Sequence, residues 1–476
     1  MATQRWLPRI SHAASGLPGK LARAMGRTPA IRLHRILQRI DEPIRGIAPL
    51  AAVRESLEAA KPELYTCLHD VFGHTVSQAL TLKILNLCLA KYHLQSRNST
   101  LLSKPYSLNI DPSDACNLAC PGCVHSNHVK ELKLFVWDKQ LLPESRLAAF
   151  MERYGPHAIH TIFCNYGEPL INPETPKYFR TAKRYLMQAM TSTSMSIGRF
   201  DADAYADSGL DYMLVSIDGA TQPVYEKFRR NGNLKTVLRN LEKLVAAKQR
   251  LRRRTPIIAW RFLTFEHNIH EIPVALDMAR NLGLDQFLTL SPYDVSWDDP
   301  SMRAASVEPV NVNLNLKSEA HILENWNPFS DELATTAIER AFERPWDESP
   351  DGHIAAENTG VCHWLYKSIT IDGGGRMFPC CAPPRPDIEL NFARFDGGET
   401  AEPFNSEKYR LARLSFSDPE AYQRERAARP GEREPHCANC EWTKDRTNTD
   451  PSQIRQYFKA ASREVFSPES VEMLVS

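Results

Sequence analysis

Residues 106–128 read YSLNIDPSDACNLACPGCVHSNH, a short apolar run followed at once by three cysteines. Cys116, Cys120 and Cys123 have the spacing C-x3-C-x2-C, so three thiolates on one loop can converge on one metal centre. Three thiolates fill three corners of a 4Fe–4S cluster and leave one iron open to a small chelating molecule. A zinc site closed by a histidine of the same segment is the alternative for this loop taken alone.

The chain around this loop alternates short apolar runs with longer amphipathic ones, in about six units between residues 106 and 292. A strand followed by a helix, repeated, predicts parallel strands joined by crossover helices. Six units are too few for a closed eight-unit barrel, so we predict an α/β fold with a partial (β/α)6 barrel. The cysteine loop follows the first strand of that barrel.

Later strands of the predicted barrel end in polar segments. The second is followed by residues 166–169 (YGEP), the third ends at 191–193 (TST), and the fourth ends at 216–219 (SIDG). Residues 228–235 (FRRNGNLK) then begin a helix. Together with the cysteine loop, this order of segments resembles the radical S-adenosylmethionine (SAM) superfamily, with YGEP in the place of that family's Gly-Gly-Glu segment.

The resemblance implies a [4Fe-4S] cluster on the cysteine loop that chelates SAM. It also implies a set of SAM contacts, namely Gly167, Glu168, Ser216, Asp218 and Arg230. By that match, Glu168 and the backbone beside it hold the methionyl amino group, and the two fourth-strand residues face the ribose and the carboxylate. Arg229 or Arg230 lies near the SAM carboxylate, which a guanidinium can grip with two parallel bonds. One departure is Gly122, at a position that is usually aromatic in the family.

A second group of cysteines lies near the C-terminus. Residues 367–381 (KSITIDGGGRMFPCC) predict a β-hairpin with a glycine turn. This hairpin and its flanks resemble the SPASM or twitch extension, which implies an auxiliary [4Fe-4S] cluster with the ligands Cys362, Cys380, Cys437 and Cys440. The choice between Cys380 and its neighbour Cys381 is open, and a zinc ribbon with the same four cysteines is the alternative.

The sequence divides into six segments. They are a basic arm (1–40), a helical N-terminal region (41–105), the barrel core (106–292), a linker or insertion (293–358), a SPASM/twitch auxiliary-cluster domain (359–445), and a C-terminal helix and tail (446–476).

The chain of 476 residues has the composition of an ordinary globular protein, with 58 Lys+Arg, 57 Asp+Glu and a formal net charge of +1. We expect no nucleic-acid partner, because such binding depends on a strong positive charge. No run reaches the about 20 apolar residues that span a membrane. The N-terminus lacks a secretory signal, so we expect a cytoplasmic protein. Residues 1–40 hold several Lys and Arg and no acid, so they are either a solvated arm or a peripheral membrane contact.

The resemblance implies an enzyme that cleaves SAM reductively to a 5′-deoxyadenosyl radical, which abstracts hydrogen from a substrate C–H bond. We expect oxidation or rearrangement of a small metabolite, with the auxiliary cluster as electron acceptor and a flavodoxin or ferredoxin as electron donor. A peptide-maturing enzyme that cross-links, epimerises or oxidises a residue is the alternative, and a non-enzymatic zinc protein is a remote one. The sequence assigns no catalytic acid or base; Tyr293, Asp294, His267 and His363 are candidates by position alone.

Overall fold

The structure is a computed structural model that describes residues 29–131, 139–292, 295–296, 298–315, 361–380, 390–398 and 401–439. Its helices are α1 (Pro29–Arg45), α2 (Leu50–Phe72), α3 (His74–Gln95), α4 (Asn127–Glu131), α5 (Glu144–Tyr154), α6 (Thr175–Arg184), α7 (Ala202–Ala206), α8 (Gln222–Phe228), α9 (Leu234–Arg250), α10 (Ile272–Asn281), α11 (Trp364–Lys367), α12 (Glu407–Ser417) and α13 (Pro419–Ala427). Its strands are β1 (Ser107–Ile110), β2 (His160–Ile162), β3 (Gln188–Thr193), β4 (Tyr212–Ser216), β5 (Ile257–Leu263), β6 (Gln286–Leu290), β7 (Asn311–Asn313), β8 (Ser368–Ile371), β9 (Arg376–Phe378) and β10 (Ala393–Arg394).

All these strands form one sheet, in the order β10-β9-β8-β1-β2-β3-β4-β5-β6-β7. Strands β1 to β6 are consecutive and parallel, with helices in the connections between them. The predicted α/β fold with six parallel barrel strands is therefore confirmed. Parallel strands need crossover connections, and the amphipathic helices supply them.

Side chains alternate along a strand, so one face of this sheet packs in the core and the other face points into the barrel. In β5, Ile258, Trp260 and Phe262 are fully buried in the main hydrophobic core. The alternate residues Arg261 and Leu263 are partly exposed and face the inside of the barrel. The core face thus provides stability through apolar burial, and the inner face is left for polar side chains.

The C-terminal hairpin is present as predicted, and it extends the barrel sheet. Strands β8 and β9 are antiparallel, and Gly375 in the turn has φ +82°, a conformation that favours glycine. The sequence did not predict that β8 pairs parallel with β1, from Ser107 opposite Ser368 to Ile110 opposite Ile371. Strand β1 therefore carries the cysteine loop at the centre of a continuous sheet, with the barrel on one side and the hairpin on the other.

A buried carboxylate network joins the end of β1 to the hairpin turn. Asp114 Oδ1 accepts a hydrogen bond from Gly373 N (2.9 Å), and Arg376 Nε donates to Asp372 Oδ2 (2.6 Å). Burial raises the pKa of Asp114 to about 7 and also raises the pKa values of Asp111 and Asp372. The Arg376 guanidinium is thus paired with two buried acids, Asp372 and Asp114, so the hairpin is held to the chain after β1 by charge as well as by backbone pairing.

The predicted boundary of the basic arm at residue 40 needs correction, because α1 begins at Pro29. Apolar residues at helical spacing on this helix are buried against α2 and α3, namely Leu33, Ile36, Leu37, Ile40 and Ile44. The part of the arm that the structure describes is therefore part of the helical N-terminal region. Lys83 of α3 connects this region to the barrel by donating to Gly155 O (2.8 Å).

The predicted linker also differs from the structure at its start. Strand β7 adds antiparallel to β6, because Leu288 and Phe287 pair with Asn311 and Val312, so this part of the chain belongs to the sheet. Residues 1–28, 316–360 and 441–476 lie outside the described residues, and with them lies the predicted C-terminal helix. None of the described helices is long and apolar enough to cross a membrane.

Arg413 of α12 is the largest buried charge of the C-terminal part. Its guanidinium donates to Leu365 O (2.9 Å), Ser99 O (3.2 Å) and Phe404 O (2.7 Å), and it is fully buried. Phe404 also packs against the guanidinium at 4.7 Å. This side chain therefore ties α12 to the loop before β1 through neutral oxygen atoms.

We predict that Arg413→Ala lowers the free energy of unfolding by about 3–5 kcal/mol, because it leaves several buried carbonyl groups without a donor. Arg410→Ala, one turn earlier, is the matched control: Arg410 is half-buried and paired with Glu425, so we expect a loss of about 1 kcal/mol or less. Denaturant unfolding followed by circular dichroism measures both. Equal losses for the two variants would contradict the assigned role of Arg413.

Candidate active site

The three cysteines of the loop after β1 lie in an apolar surrounding. Cys120 is buried, and Cys116 and Cys123 pack against the same hydrophobic cluster, which is made of Leu118, Phe228, Phe265, Val295 and Met302. Burial raises the pKa of Cys120 to about 11 and raises those of Cys116 and Cys123 as well. The thiols are close enough to raise one another's pKa values, so the loop presents them as one group.

Arg229 joins this loop to the end of the fourth strand. Its Nη1 donates to Cys120 Sγ (3.8 Å), and its Nε donates to Asp218 Oδ2 (2.5 Å). Asp218 is fully buried, and its other oxygen accepts from Leu263 N (2.6 Å). Burial lowers the pKa of Arg229, but the Asp218 carboxylate outweighs it, so the net direction is upward. The Nη2 atom of Arg229 is buried with no hydrogen-bond partner in the described residues and is left to contact a ligand.

Arg230, the sequence-predicted arginine, lies elsewhere. Its guanidinium is paired with Asp299, and it is more exposed than that of Arg229. Of the two arginines that the sequence left open, the side chain of Arg229 faces the cysteine loop, and that of Arg230 does not. Two adjacent arginines at a helix end point in different directions, so the sequence alone could not separate them.

Gly167 and Glu168 lie against the same loop. A Cβ atom at Gly167 would come within 1.7 Å of Ser113 O, so no larger residue fits there. Tyr166 N donates to Asp111 Oδ2 (2.7 Å), and Glu168 N donates to Ala115 O (2.8 Å). These contacts seat the segment after β2 directly on the chain that leads to Cys116.

The Glu168 carboxylate is held by the end of β3. It accepts from Thr193 Oγ1 (2.5 Å), from Ser194 N (2.8 Å) and from Ser194 Oγ (2.7 Å), and it is buried. The sequence pointed to the end of the third strand but not to Ser194, which follows it. The sequence signal that could have identified Ser194 is a short polar residue directly after the end of a strand.

Gly122 has a physical reason to be glycine. Its φ is +74°, and a Cβ atom there would lie 2.4 Å from Val295 Cγ1. Its N donates to Asp298 Oδ2 (2.6 Å), and Ser126 Oγ donates to Asp298 Oδ1 (3.2 Å). The chain after β6 therefore covers the cysteine loop at the position where the family usually has an aromatic residue, and Val295 supplies an apolar side chain there.

The second cysteine group is described in part. Cys362 and Cys437 both pack in or against the main core, and Cys437 is buried. Cys380 and Cys437 are both near enough to raise the pKa of the buried Tyr409, after burial itself. These two cysteines are thus brought to one part of the fold from distant sequence positions. Cys440 and Cys381 lie outside the described residues.

The donor set around the first loop fits a cluster with one open position. It offers one buried and two partly buried thiols, an apolar surrounding and an unused arginine N–H group beside them. Within the described ranges, no three His, Cys, Asp or Glu side chains converge closely enough to hold a single metal ion. Among the sequence candidates for an acid or base, His267 stacks on Phe265 at 5.5 Å and so borders this apolar cluster, whereas Tyr293 and Asp294 are outside the described residues.

Residues 110–259, which contain the cysteine loop and every SAM contact predicted from the sequence, match the sequence profile described as "Radical SAM superfamily". Residues 110–259 thus form a radical SAM domain. Radical SAM proteins are enzymes that use SAM and a [4Fe-4S] cluster, and the prediction of these two cofactors is confirmed.

Relatives of this radical SAM enzyme include a probable GTP 3′,8-cyclase of Methanococcus maripaludis, 22% identical over 283 residues, which are 58% of this chain and 84% of that protein. The PqqA peptide cyclase of Gluconobacter oxydans is 22% identical over 297 residues, covering 61% of this chain and 74% of that protein. Among solved structures, Streptococcus suis SuiB bound to S-adenosylmethionine has a TM-score of 0.45 at 12% identity and covers 82% of this chain and 90% of its own.

We predict that Asp218→Asn lowers the free energy of unfolding by about 3–5 kcal/mol, because it leaves the buried Arg229 cation without a charged partner. Asp203→Asn removes the partner of Arg250 in an exposed pair and is the matched control, with an expected change of about 1 kcal/mol or less. Thermal and denaturant unfolding of both variants measure the difference. A loss for Asp218→Asn no larger than that of the control would contradict this assignment.

We predict that Gly122→Ala disturbs the cysteine loop, because a side chain there is strained by positive φ and collides with Val295. The expected cost is about 1–3 kcal/mol, together with a lower iron content after anaerobic reconstitution. Gly198→Ala is the control, since a Cβ atom at that position meets nothing within 4 Å. Full iron loading of Gly122→Ala would show that the loop accommodates a side chain.

Proposed function

We propose that this radical SAM enzyme removes a hydrogen atom from an unactivated C–H bond of a small-molecule substrate bound inside the partial barrel. The observation that carries the proposal is the buried group of three thiols at the end of β1, contacted by Arg229 and covered by apolar residues. Cys116, Cys120 and Cys123 would hold the cluster. When bound, the reduced cluster and SAM together supply a 5′-deoxyadenosyl radical that abstracts hydrogen.

The chain's own residues would position SAM and keep water out. The backbone at Gly167 would bind the methionyl group and the Ser216 hydroxyl would bind the ribose, while the free N–H of Arg229 suits the SAM carboxylate. The carboxylates of Glu168 and Asp218 support this arrangement by holding β3 and Arg229 in place. Phe228, Phe265 and their apolar neighbours shield the loop from solvent, which protects a reactive radical from side reactions.

The second cysteine group is proposed to hold an auxiliary [4Fe-4S] cluster of the SPASM or twitch type. Cys362, Cys380 and Cys437 would be ligands with Cys440. The hairpin supports this, because β9 runs antiparallel to β8 and so returns Cys380 to the edge of the sheet where β8 begins, shortly after Cys362. The chemistry supplied there would be one-electron acceptance, which makes the overall reaction a two-electron oxidation of the substrate.

The substrate class and setting are part of the same proposal. A small metabolite is favoured, and the relatives named GTP 3′,8-cyclase agree with it. A peptide substrate is the second candidate, which the likeness to PqqA peptide cyclase favours. The electron donor would be a flavodoxin or ferredoxin in a reducing cytoplasm, where thiols stay available to bind iron.

The test is the anaerobic iron, sulfide and zinc content of the full chain after reconstitution, followed by an assay for 5′-deoxyadenosine from SAM and dithionite. We expect about eight iron atoms per chain, falling to about four when Cys116, Cys120 and Cys123 are all replaced by alanine, with loss of 5′-deoxyadenosine. Zinc in place of iron without SAM cleavage would overturn the enzyme proposal in favour of a zinc protein.

A second arm tests the auxiliary site alone. Replacing Cys362, Cys380 and Cys437 together by alanine should also leave about four iron atoms per chain but retain formation of 5′-deoxyadenosine. The matched control is Cys88→Ala in α3, whose thiol is buried in the N-terminal helices and whose loss should leave the iron content unchanged. Eight iron atoms in the triple variant would rule out the auxiliary ligands proposed here.

A further inference from the structure

Arg261 is a charged residue in an otherwise apolar strand. It lies in β5, whose sequence is IIAWRFL, between Trp260 and Phe262, which are both fully buried in the core. Because side chains alternate along a strand, Arg261 points away from that core and into the barrel. Strand β5 is paired on both sides, with β4 and β6, so the backbone that carries this guanidinium is held rigidly.

The guanidinium is oriented by two serine hydroxyls at its Nη2 end. Nη2 donates to Ser192 Oγ (3.0 Å) on β3 and to Ser216 Oγ (2.5 Å) on β4. Its Nε is buried and has no hydrogen-bond partner among the described residues. Cys164 and Tyr212 lie within electrostatic range, and burial raises the pKa of each to about 12, so both are neutral at physiological pH.

The carboxylates that follow β4 and β2 have other partners. Asp218 is paired with Arg229 and also accepts from Leu263 N, and Glu168 is held by the residues at the end of β3. No ion pair of Arg261 occurs in the part of the chain that the structure describes. Burial and the repulsion from Arg229 lower the pKa of Arg261, and they outweigh the opposite effect of Asp218, whose carboxylate is paired with Arg229.

We propose that Arg261 forms an oxyanion subsite inside the barrel, which binds a carboxylate or phosphate group of the substrate. A guanidinium presents a planar set of N–H donors that matches such a group, and a buried cation without a partner gains most from an incoming anion. The inference rests on the proposed function, because it assigns the charged end of the substrate of that enzyme. It places that end on β5, beside the Ser192 and Ser216 hydroxyls.

The subsite at Arg261 is distinct from Arg229, the arginine that faces the cysteine loop. Arg229 contacts Cys120 Sγ, whereas the contacts of Arg261 are to β3 and β4. A substrate anion on Arg261 would therefore lie on the barrel side of the SAM site. This arrangement would select anionic substrates and fix the distance between their charged group and the C–H bond that reacts.

The test uses inorganic phosphate and acetate as probes on the anaerobically reconstituted full chain, with SAM present at saturation and no reductant. Isothermal titration calorimetry measures the dissociation constants of both probes and of SAM. We expect phosphate or acetate to bind the unmodified protein saturably. Arg261→Gln should weaken that binding about tenfold or more, with the affinity for SAM changed by less than about threefold.

Two further variants keep the test decisive if Arg261→Gln does not fold. Arg261→Lys keeps the charge but loses the planar donors, so it should bind the probe with intermediate affinity. Ser192→Ala keeps the guanidinium but removes one anchor and should weaken binding about threefold. Arg253→Gln, which removes an exposed arginine paired with Asp207, is the matched control and should change nothing.

Several results would overturn the inference. The first is that the unmodified protein shows no saturable binding of phosphate or acetate. The second is that the unmodified protein and the Arg261 variants bind the probe with equal affinity. The third is a tenfold loss of SAM affinity in Arg261→Gln, which would assign Arg261 to SAM. Iron content and 5′-deoxyadenosine formation are measured on the same samples. If the iron content and 5′-deoxyadenosine formation are normal and the probe does not bind, only this inference fails. If the protein binds no iron and forms no 5′-deoxyadenosine, the proposed function fails.

Discussion

The rest of the structure depends on the parallel pairing of β1 to β6. Parallel strands end at one edge of the sheet, so the segments after β1, β2, β3 and β4 meet although they are far apart in sequence. The cysteine loop, the YGEP segment and the residues around Asp218 are neighbours for this reason alone. Pairing of β8 with β1 adds the C-terminal hairpin to the same sheet, and the antiparallel strand β9 carries Cys380 to the opposite edge.

Buried charges hold these segments in place, and each of them has a specific partner. Asp218 binds Arg229, Glu168 binds the end of β3, and Asp372 binds Arg376. Each carboxylate would be costly to bury alone, and each pairing joins two segments that the sheet has already brought together. Arg261 is the exception on the inner face, since its contacts are to neutral hydroxyls. The inside of the barrel therefore has a positive charge that a bound anion could neutralise.

Much of this was predictable from local sequence patterns. The spacing of the three cysteines, the alternation of strands with helices and the glycine turn of the hairpin all follow from short-range chemistry, and all three are present. Side-chain direction was less predictable. Arg229 and Arg230 are adjacent and equally charged, and only the fold shows that the first faces Cys120 while the second pairs with Asp299. Likewise, the apolar spacing of α1 was hidden by the basic residues of the arm.

The sequence by itself determined the kind of protein: an α/β fold with a partial barrel and a loop of three thiols, because strand periodicity and ligand spacing are local properties of the chain. Tertiary structure decided which distant residues share the site. Val295 lies over Gly122, Ser194 binds Glu168, and β8 pairs with β1. Such contacts depend on how strands align and helices pack between separate segments of the chain, and no local pattern specifies them.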